Sequence, residues 1–446
     1  MKIKTIATLV ALMPLSLYAN LEHAPKSFAL PEGTVIYTDF KTANYALSYD
    51  LKSKSVTATS TITFETKEEG FPAFDLVEAP ISMSLDGEEV SSRVIASPDR
   101  DTKFRIAAKS IKPGIHTFLI TSPVKENVSF TADGVSSAFW FTDLDDRGYM
   151  ETYLPANLEY DQYKVTLDLD FKSMAKQRIY TNGVVTNLDN NRFQVVFPET
   201  YTSSSIYFHT APIGRYPEKT FTFRSIDGRD IPVTVYSAST FTSLDTLQAK
   251  TLKSLTGLEA KYGPFLHNTV TVFNAGSGGM EYCGATMTDM GALNHELTHS
   301  YFARGGLMPA NGNSGWLDEA ITSWSDEGAI SKPEINGTYA NMAGNSEYRR
   351  YTHMGAYTQG KSFMGHLNYK FQSQGGLVSF LNEMIKTDSF TPMTTEEFVK
   401  KISNYYSEDL MPLFKKHTYS SKSRSEKPNK MNSHMKLTIK EMKQFL

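Results

Sequence analysis

The sequence predicts an α+β chain with an N-terminal antiparallel β domain followed by a domain in which helices dominate. Three observations carry this. Apolar residues alternate with period two up to about Pro212, they recur near helical spacing from Leu244 onward, and turn dipeptides cut the first part into short segments. The 446 residues suit two domains, at roughly 100–200 residues each. With 40% hydrophobic and 21% charged residues, composition is ordinary for a globular protein and excludes a collagenous, coiled-coil or largely disordered chain. A formal net charge of −3 gives no support to general nucleic-acid binding.

The first element is a targeting signal. Lys2 and Lys4 precede an apolar run over 6–17, and Leu17-Tyr18-Ala19 ends in a small residue. Residues 1–19 therefore read as a secretory signal peptide, and the mature protein is expected to be exported, periplasmic or secreted. The run is short for a membrane span, and no later stretch reaches about 18 apolar residues, so stable membrane insertion is not expected. Cys283 is the sole cysteine, which rules out a disulfide within the chain and leaves stability to core burial.

The β domain is placed at 20–213. Val56, Ala58, Ser60, Ile62 and Phe64 alternate with threonines, and Val165, Leu167, Leu169 and Phe171 alternate with polar residues. Asp86-Gly87, Asp133-Gly134, Asn182-Gly183 and Asp189-Asn190 supply turns between such strands. Two more strands are expected at 220–223 and 233–236, across Asp227-Gly228. The second domain is placed at 214–420. It begins with a helix through Leu244, Leu247, Leu255 and Leu258, stopped by Gly263-Pro264, and continues with a strand at 270–273. Helical patterns follow at 292–304, 317–328, 361–372, 377–385 and 395–404. Residues 421–446 are rich in Ser, Lys and Asn. From Ser420 onward seven Lys/Arg face two Glu, so the tail is +5 and the rest of the chain −8. A solvated, disordered tail is the expectation.

The stretch that carries chemistry is His295-Glu296-Leu297-Thr298-His299. On a helix, residues i and i+4 share a face, so both imidazoles can hold one metal ion with Glu296 beside its water. Zinc suits such a set because it accepts nitrogen and oxygen ligands and keeps an open fourth position. A third ligand is needed, and Glu319 lies 20 residues beyond His299, within Trp316-Leu317-Asp318-Glu319-Ala320. The intervening Gly305-Gly306, Pro309 and Asn311-Gly312-Asn313 are loop residues, giving helix, loop, helix. Asp318 is the direct rival for the ligand position. Upstream, Gly278-Gly279-Met280-Glu281-Tyr282 follows the strand at 270–273. Paired glycines allow close backbone approach, and Glu281 could meet a cationic group there, although these residues alone read more readily as a turn with a solvated carboxylate. Downstream, Tyr357-Thr358-Gln359-Gly360 precedes a helix; a phenol near a metal can donate to a developing oxyanion, or Tyr357 is a packing residue.

Taken together, these four elements resemble the aminopeptidase N and leukotriene hydrolase family of zinc peptidases, the gluzincins. That family carries Gly-x-Met-Glu-Asn, His-Glu-x-x-His, Trp-Leu-x-Glu and Tyr-x-x-Gly in this order. Tyr262-Gly263-Pro264-Phe265, Tyr45 to Leu51 and Leu154-Pro155 extend the likeness over most of residues 40–420. The resemblance implies a saddle-like β domain followed by a thermolysin-like zinc peptidase domain. It implies one zinc ion held by His295, His299 and Glu319, Glu296 as general base, and Tyr357 as oxyanion donor. Gly278, Gly279, Met280 and Glu281 would bind substrate, with Glu281 on the free α-ammonium of a peptide. The implied activity is that of an aminopeptidase.

Three departures stand out. The His299-to-Glu319 spacing exceeds the family's usual one by a residue, which would put Asp318 at the family offset; the local Trp-Leu-x-Glu match favours Glu319. Tyr282 replaces the motif's Asn. The sequence also ends soon after the catalytic region, where many relatives continue into a helical domain that roofs the site. Two other functions follow from these departures or stand apart from them: an endopeptidase or narrow-specificity gluzincin, and a binding or adhesion protein on a peptidase-like scaffold. Asp143, Asp145, Asp146 and Arg147 read as a solvated turn, Cys283 as an inert thiol, and His353 and His366 as packing or surface residues.

Overall fold

The alternating segments at 39–66 form a long hairpin, Asp39–Asp50 against Ser55–Thr66. Val56, Ala58, Ser60, Ile62 and Phe64 all point into the core, as period two requires. In this computed structural model residues 23–100, 102–142, 147–335, 340–419 and 437–446 are described. The 1–19 segment, Asp143, Asp145, Asp146 and residues 420–436 lie outside them. The hairpin is the centre of an eight-stranded sheet, flanked by Gly114–Pro123 on one side and Lys164–Asp170 on the other. At Asp86-Gly87 both residues have positive φ, 55° and 82°, which closes the tight turn between Ser82–Leu85 and Glu88–Glu89.

The expectation of an antiparallel domain needs a correction. Lys164–Asp170 runs parallel to Asp39–Asp50, and Gly33–Ile36 runs parallel to Phe71–Phe74. These partners are not joined by a hairpin, so a longer crossover sets their direction rather than a local turn.

The second half is built on a five-stranded sheet: β1 (Glu218–Arg224), β2 (Asp230–Ser237), β3 (Val270–Asn274), β4 (Gly279–Tyr282) and β5 (Ala285–Thr288), in the order β1-β2-β3-β5-β4. Helix α1 (Leu244–Tyr262) connects β2 to β3, which pair in parallel. Ser243 caps its start by accepting from Thr246 N, and Gly263 ends it at φ 91°. β4 is the edge strand and pairs antiparallel with β5 alone. Helices α2 (Leu293–Thr298), α3 (Trp316–Asp326), α4 (Gln359–Lys370), α5 (Gly376–Asp388), α6 (Thr395–Tyr406) and α7 (Met411–Thr418) follow, with α2 against β4 and β5, α3 against α2 and α4 against α3. α2 is shorter than the expected 292–304, because the chain tightens after His299 and Ala303 adopts φ 114°.

One apolar core crosses from the first half into the second. Trp140, Phe141, Tyr207 and Phe208 share it with Tyr236, Phe273, Met280, Tyr282 and Met287 of the second sheet. Trp140 stacks on Phe273 with ring centroids 5.8 Å apart. The disordered-tail expectation is corrected for its last ten residues. Ile439–Met442 forms a short helix whose Met442 is fully buried, Phe445 meets the Trp140 ring, and Tyr216 Oη donates to the Phe445 carbonyl at 2.6 Å. The physical reason is that Leu437, Ile439, Met442, Phe445 and Leu446 supply apolar surface that a Lys/Ser composition average conceals. Among the described residues no helix is long and apolar enough to cross a membrane.

Candidate metal centre

α2 carries the His-Glu-x-x-His stretch. Leu293 and Leu297 sink into the core of the second half and fix the helix on that side. Its start is held by Asp289 Oδ1, which accepts from Gly291 N and Ala292 N at 2.5 and 2.8 Å. His295 and His299, one turn apart, then face α3. There Trp316, Leu317, Ala320 and Ile321 are buried, and Glu319 sits in the first helical turn, where the helix dipole favours an anion.

Three side-chain atoms converge. His295 Nε2 and His299 Nε2 are 3.2 Å apart, and Glu319 Oε2 lies 3.3 Å from the first and 3.5 Å from the second. Ligands at 2.0–2.2 Å on tetrahedral directions around zinc lie about 3.3–3.6 Å from one another. The observed triangle therefore fits a zinc ion at its apex. His299 Nδ1 donates to the Phe302 carbonyl at 3.0 Å, with the Thr322 hydroxyl at 3.2 Å, so its Nε2 lone pair is directed at the centre. Burial works against a charged His299, but the carboxylates of Glu319 and Glu281 outweigh it and push its pKa up to about 10. The field at this point favours positive charge.

The two rival carboxylates are placed differently. Asp318 groups with Glu281 and His299 within 4.8 Å, whereas Glu319 groups with both histidines. Asp318 Oδ1 also accepts from Glu319 N at 2.5 Å.

Other expected residues gather around this triangle. Glu296 is buried against the edge strand: a Cβ on Gly279 would overlap its carboxyl group, so the glycine lets β4 backbone lie alongside it. Tyr357 Oη donates to Glu319 Oε1 at 2.5 Å. The Tyr-x-x-Gly spacing has a packing cause. A Cβ on Gly360 would stand 2.8 Å from Ala320 Cβ, so this glycine lets α4 approach α3 and brings Tyr357 over Glu319. Glu281 is fully buried and ion-paired with Arg304 at 3.0 Å.

Gly278 and Met280, two of the expected substrate contacts, have protein partners of their own. Met280 alternates away from Glu281 on β4, and its side chain belongs to the apolar core, leaving only its backbone for a substrate. The Gly278 carbonyl already accepts from Asp289 N at 2.9 Å. Tyr282, in place of Asn, is structural: its hydroxyl accepts from Phe141 N at 3.1 Å and ties the edge strand to the first half. Burial pushes the Cys283 thiol up to about 12, which leaves it unreactive. His353 accepts from Gly355 N at the turn before Tyr357, and His366 Nδ1 lies 2.9 Å from the Pro333 carbonyl.

Sequence reasoning missed Arg304, which pairs with Glu281 and is itself held by Ser204, and the Arg147–Glu151–Glu159 ion-pair set. Arg147, expected in a solvated turn, is instead mostly enclosed, 14% exposed at its side chain, 2.9 Å from Glu151 and 2.6 Å from Glu159. Nothing in the spacing of these residues marks them as inward-facing.

No protein-family model matches the sequence, and no curated protein matches it. Solved structures do. Aminopeptidase A of Legionella pneumophila, in complex with aspartic acid, aligns with a TM-score of 0.60 at 14% identity, over 86% of this chain and 49% of that one. Native yeast LTA4 hydrolase aligns with a TM-score of 0.62 at 13% identity, over 88% of this chain and 69% of that one. An M1 zinc metallopeptidase of Deinococcus radiodurans, a mutant bound to a Tyr-Ser-Ala substrate, aligns with a TM-score of 0.59 at 14% identity, over 87% and 95%. This chain spans about half the length of the Legionella enzyme. It has the fold shared by these proteins.

Proposed function

We propose that this chain, which has the fold of the M1 zinc metallopeptidases, is an exported zinc-dependent aminopeptidase whose second half is a thermolysin-like catalytic domain. The observation that carries the reading is the triangle of His295 Nε2, His299 Nε2 and Glu319 Oε2, with sides of 3.2, 3.3 and 3.5 Å, flanked by Glu296 and Tyr357. Peptide substrates are supported by the neighbours, one bound to Tyr-Ser-Ala and a yeast LTA4 hydrolase bound to bestatin.

His295, His299 and Glu319 would hold the ion. Zinc, when bound, supplies Lewis-acid polarisation of the scissile carbonyl and a water of lowered pKa. Glu296, buried beside the edge strand, takes a proton from the attacking water and delivers it to the leaving amine. Tyr357, now donating to Glu319, turns its hydroxyl to the oxyanion as charge develops there. Edge strand β4, which pairs with β5 alone, offers its other side to an extended peptide. Glu281 receives the substrate's α-ammonium and limits cleavage to the first residue. Residues 1–19 direct export.

The test is cleavage of a peptide mixture, half free at the N-terminus and half acetylated, followed by mass spectrometry with Glu296→Ala in parallel. Stepwise loss of single N-terminal residues, from free peptides alone and absent in the variant, supports the proposal. Internal cuts in acetylated peptides assign an endopeptidase instead. No cleavage by zinc-loaded protein rejects the peptidase reading.

A further inference from the structure

Glu281 does not stand alone. Arg304 is buried to 2% exposure; its Nη2 donates to Glu281 Oε1 at 3.0 Å, and its Nη1 donates to Ser204 Oγ at 2.8 Å. Ser204 belongs to the first half of the chain and is itself fully buried, 3.1 Å from the Thr202 hydroxyl. The guanidinium thus bridges the edge-strand carboxylate to the other half of the molecule. Burying a guanidinium is costly unless it is paired with good geometry, so a buried arginine in two directed hydrogen bonds is a built feature.

The backbone is shaped to deliver it. Ala303 has φ 114°, a conformation that non-glycine residues rarely adopt. Its N–H donates to the Leu307 carbonyl at 2.6 Å, and Arg304 N donates to the His299 carbonyl at 2.9 Å. A Cβ on Gly306 would stand 2.7 Å from the Tyr301 carbonyl oxygen. This tight return after α2 aims Arg304 back beside the metal ligand His299. Strain of this kind persists where the surroundings over-determine it and clusters at functional sites.

Glu281 and Asp318 both lie within 4.8 Å of the His299 ligand atom, and Arg304 interacts electrostatically with both carboxylates. The guanidinium thus faces both carboxylates on this side of His299.

We infer that Arg304, anchored on Ser204, is the positioning residue for amine recognition: it holds the Glu281 carboxylate in one orientation beside the metal centre and so sets the preference for a free N-terminus. The inference rests on the aminopeptidase reading. A lysine would keep the charge but lose the two-pronged fork that spans Glu281 and Ser204.

The experiment compares two hydroxamates by calorimetry on the zinc-loaded full chain. One carries the α-amine of leucine and the other is its deamino analogue. Wild type should prefer the amine-bearing compound by at least about tenfold, the scale of one charged hydrogen bond. Arg304→Lys should erase that preference while the deamino compound binds within about twofold of wild type. Ser204→Ala removes only a hydroxyl, tests the same bridge should Arg304→Lys fail to fold, and should reduce the preference by a smaller factor. Equal losses on both compounds, or an unchanged preference in a folded variant, overturn the inference. If wild type binds both hydroxamates equally, the zinc site stands and amine anchoring falls, with the role of Arg304. If zinc-loaded wild type binds neither, the zinc-peptidase reading falls and takes this inference with it.

Discussion

Gly360→Ala tests whether helix packing places Tyr357. The added Cβ would stand 2.8 Å from Ala320 Cβ, against about 3.5–4.0 Å for ordinary carbon contacts. Both atoms are fixed to helix backbones, so no rotamer relieves the overlap and α4 must retreat from α3 by about 1 Å. Overpacking of this size costs about 1–3 kcal/mol, offset by about 0.5–1 kcal/mol from removing a helical glycine. The Tyr357 hydroxyl, 2.5 Å from Glu319 Oε1, moves with α4. A misplacement of about 1 Å costs on the order of 10²-fold in rate. Tyr357→Phe sets the ceiling, at about 10²–10³-fold for loss of one oxyanion donor. The assay is kcat on a free-amine peptide for both single variants and the double variant, with zinc content and urea midpoints alongside. Because both changes act through one hydroxyl, the double variant should be no slower than Tyr357→Phe. Losses that multiply, or a Gly360→Ala enzyme that loses stability and keeps full kcat, would refute the link from the α3–α4 contact to catalysis.

Glu296→Ala should abolish turnover while elemental analysis still finds one zinc per chain; loss of the metal would remove Glu296 from the role of base. Zinc at a hundred times its Kd should raise wild-type stability by about 2.7 kcal/mol, measured by urea unfolding with and without chelator, and should have no such effect on Glu319→Ala. Burial holds His209 neutral, with its pKa lowered to about 3. As pH falls the unfolded chain protonates this histidine first, so its stabilising contribution is complete above about pH 6.5 and is lost progressively from there to about 3. At pH 5 the loss is about 2 kcal/mol, and His209→Gln should flatten the slope of urea midpoint against pH; an unchanged slope rules the effect out. Ending the chain at residue 436 removes buried Met442 and the Phe445 contact with Trp140, and should lower the unfolding free energy by at least about 2 kcal/mol, with an unshifted urea midpoint as the contrary result.

Local periodicity determined much of this protein. Period two at 56–64 placed the buried face of a strand, and the i, i+4 spacing of His295 and His299 placed two imidazoles on one face of a helix, because both depend only on neighbouring backbone geometry. The Trp-Leu-x-Glu and Tyr-x-x-Gly elements marked Glu319 and Tyr357 through their resemblance to a family. Tertiary structure decided what lies across the fold. That Glu319 rather than Asp318 meets both histidines depends on how the 300–315 loop docks α3 against α2. That Tyr357 reaches Glu319 depends on the close α3–α4 approach at Gly360. Arg304 meets Glu281 only because the return at Ala303 reverses the chain, and Ser204 joins them from a hundred residues away. The parallel pairing of Lys164–Asp170 with Asp39–Asp50 and the burial of Met442 are likewise long-range contacts. Sequence periodicity reports which face of an element is apolar; which partner covers that face is settled by the free energy of the whole assembled core.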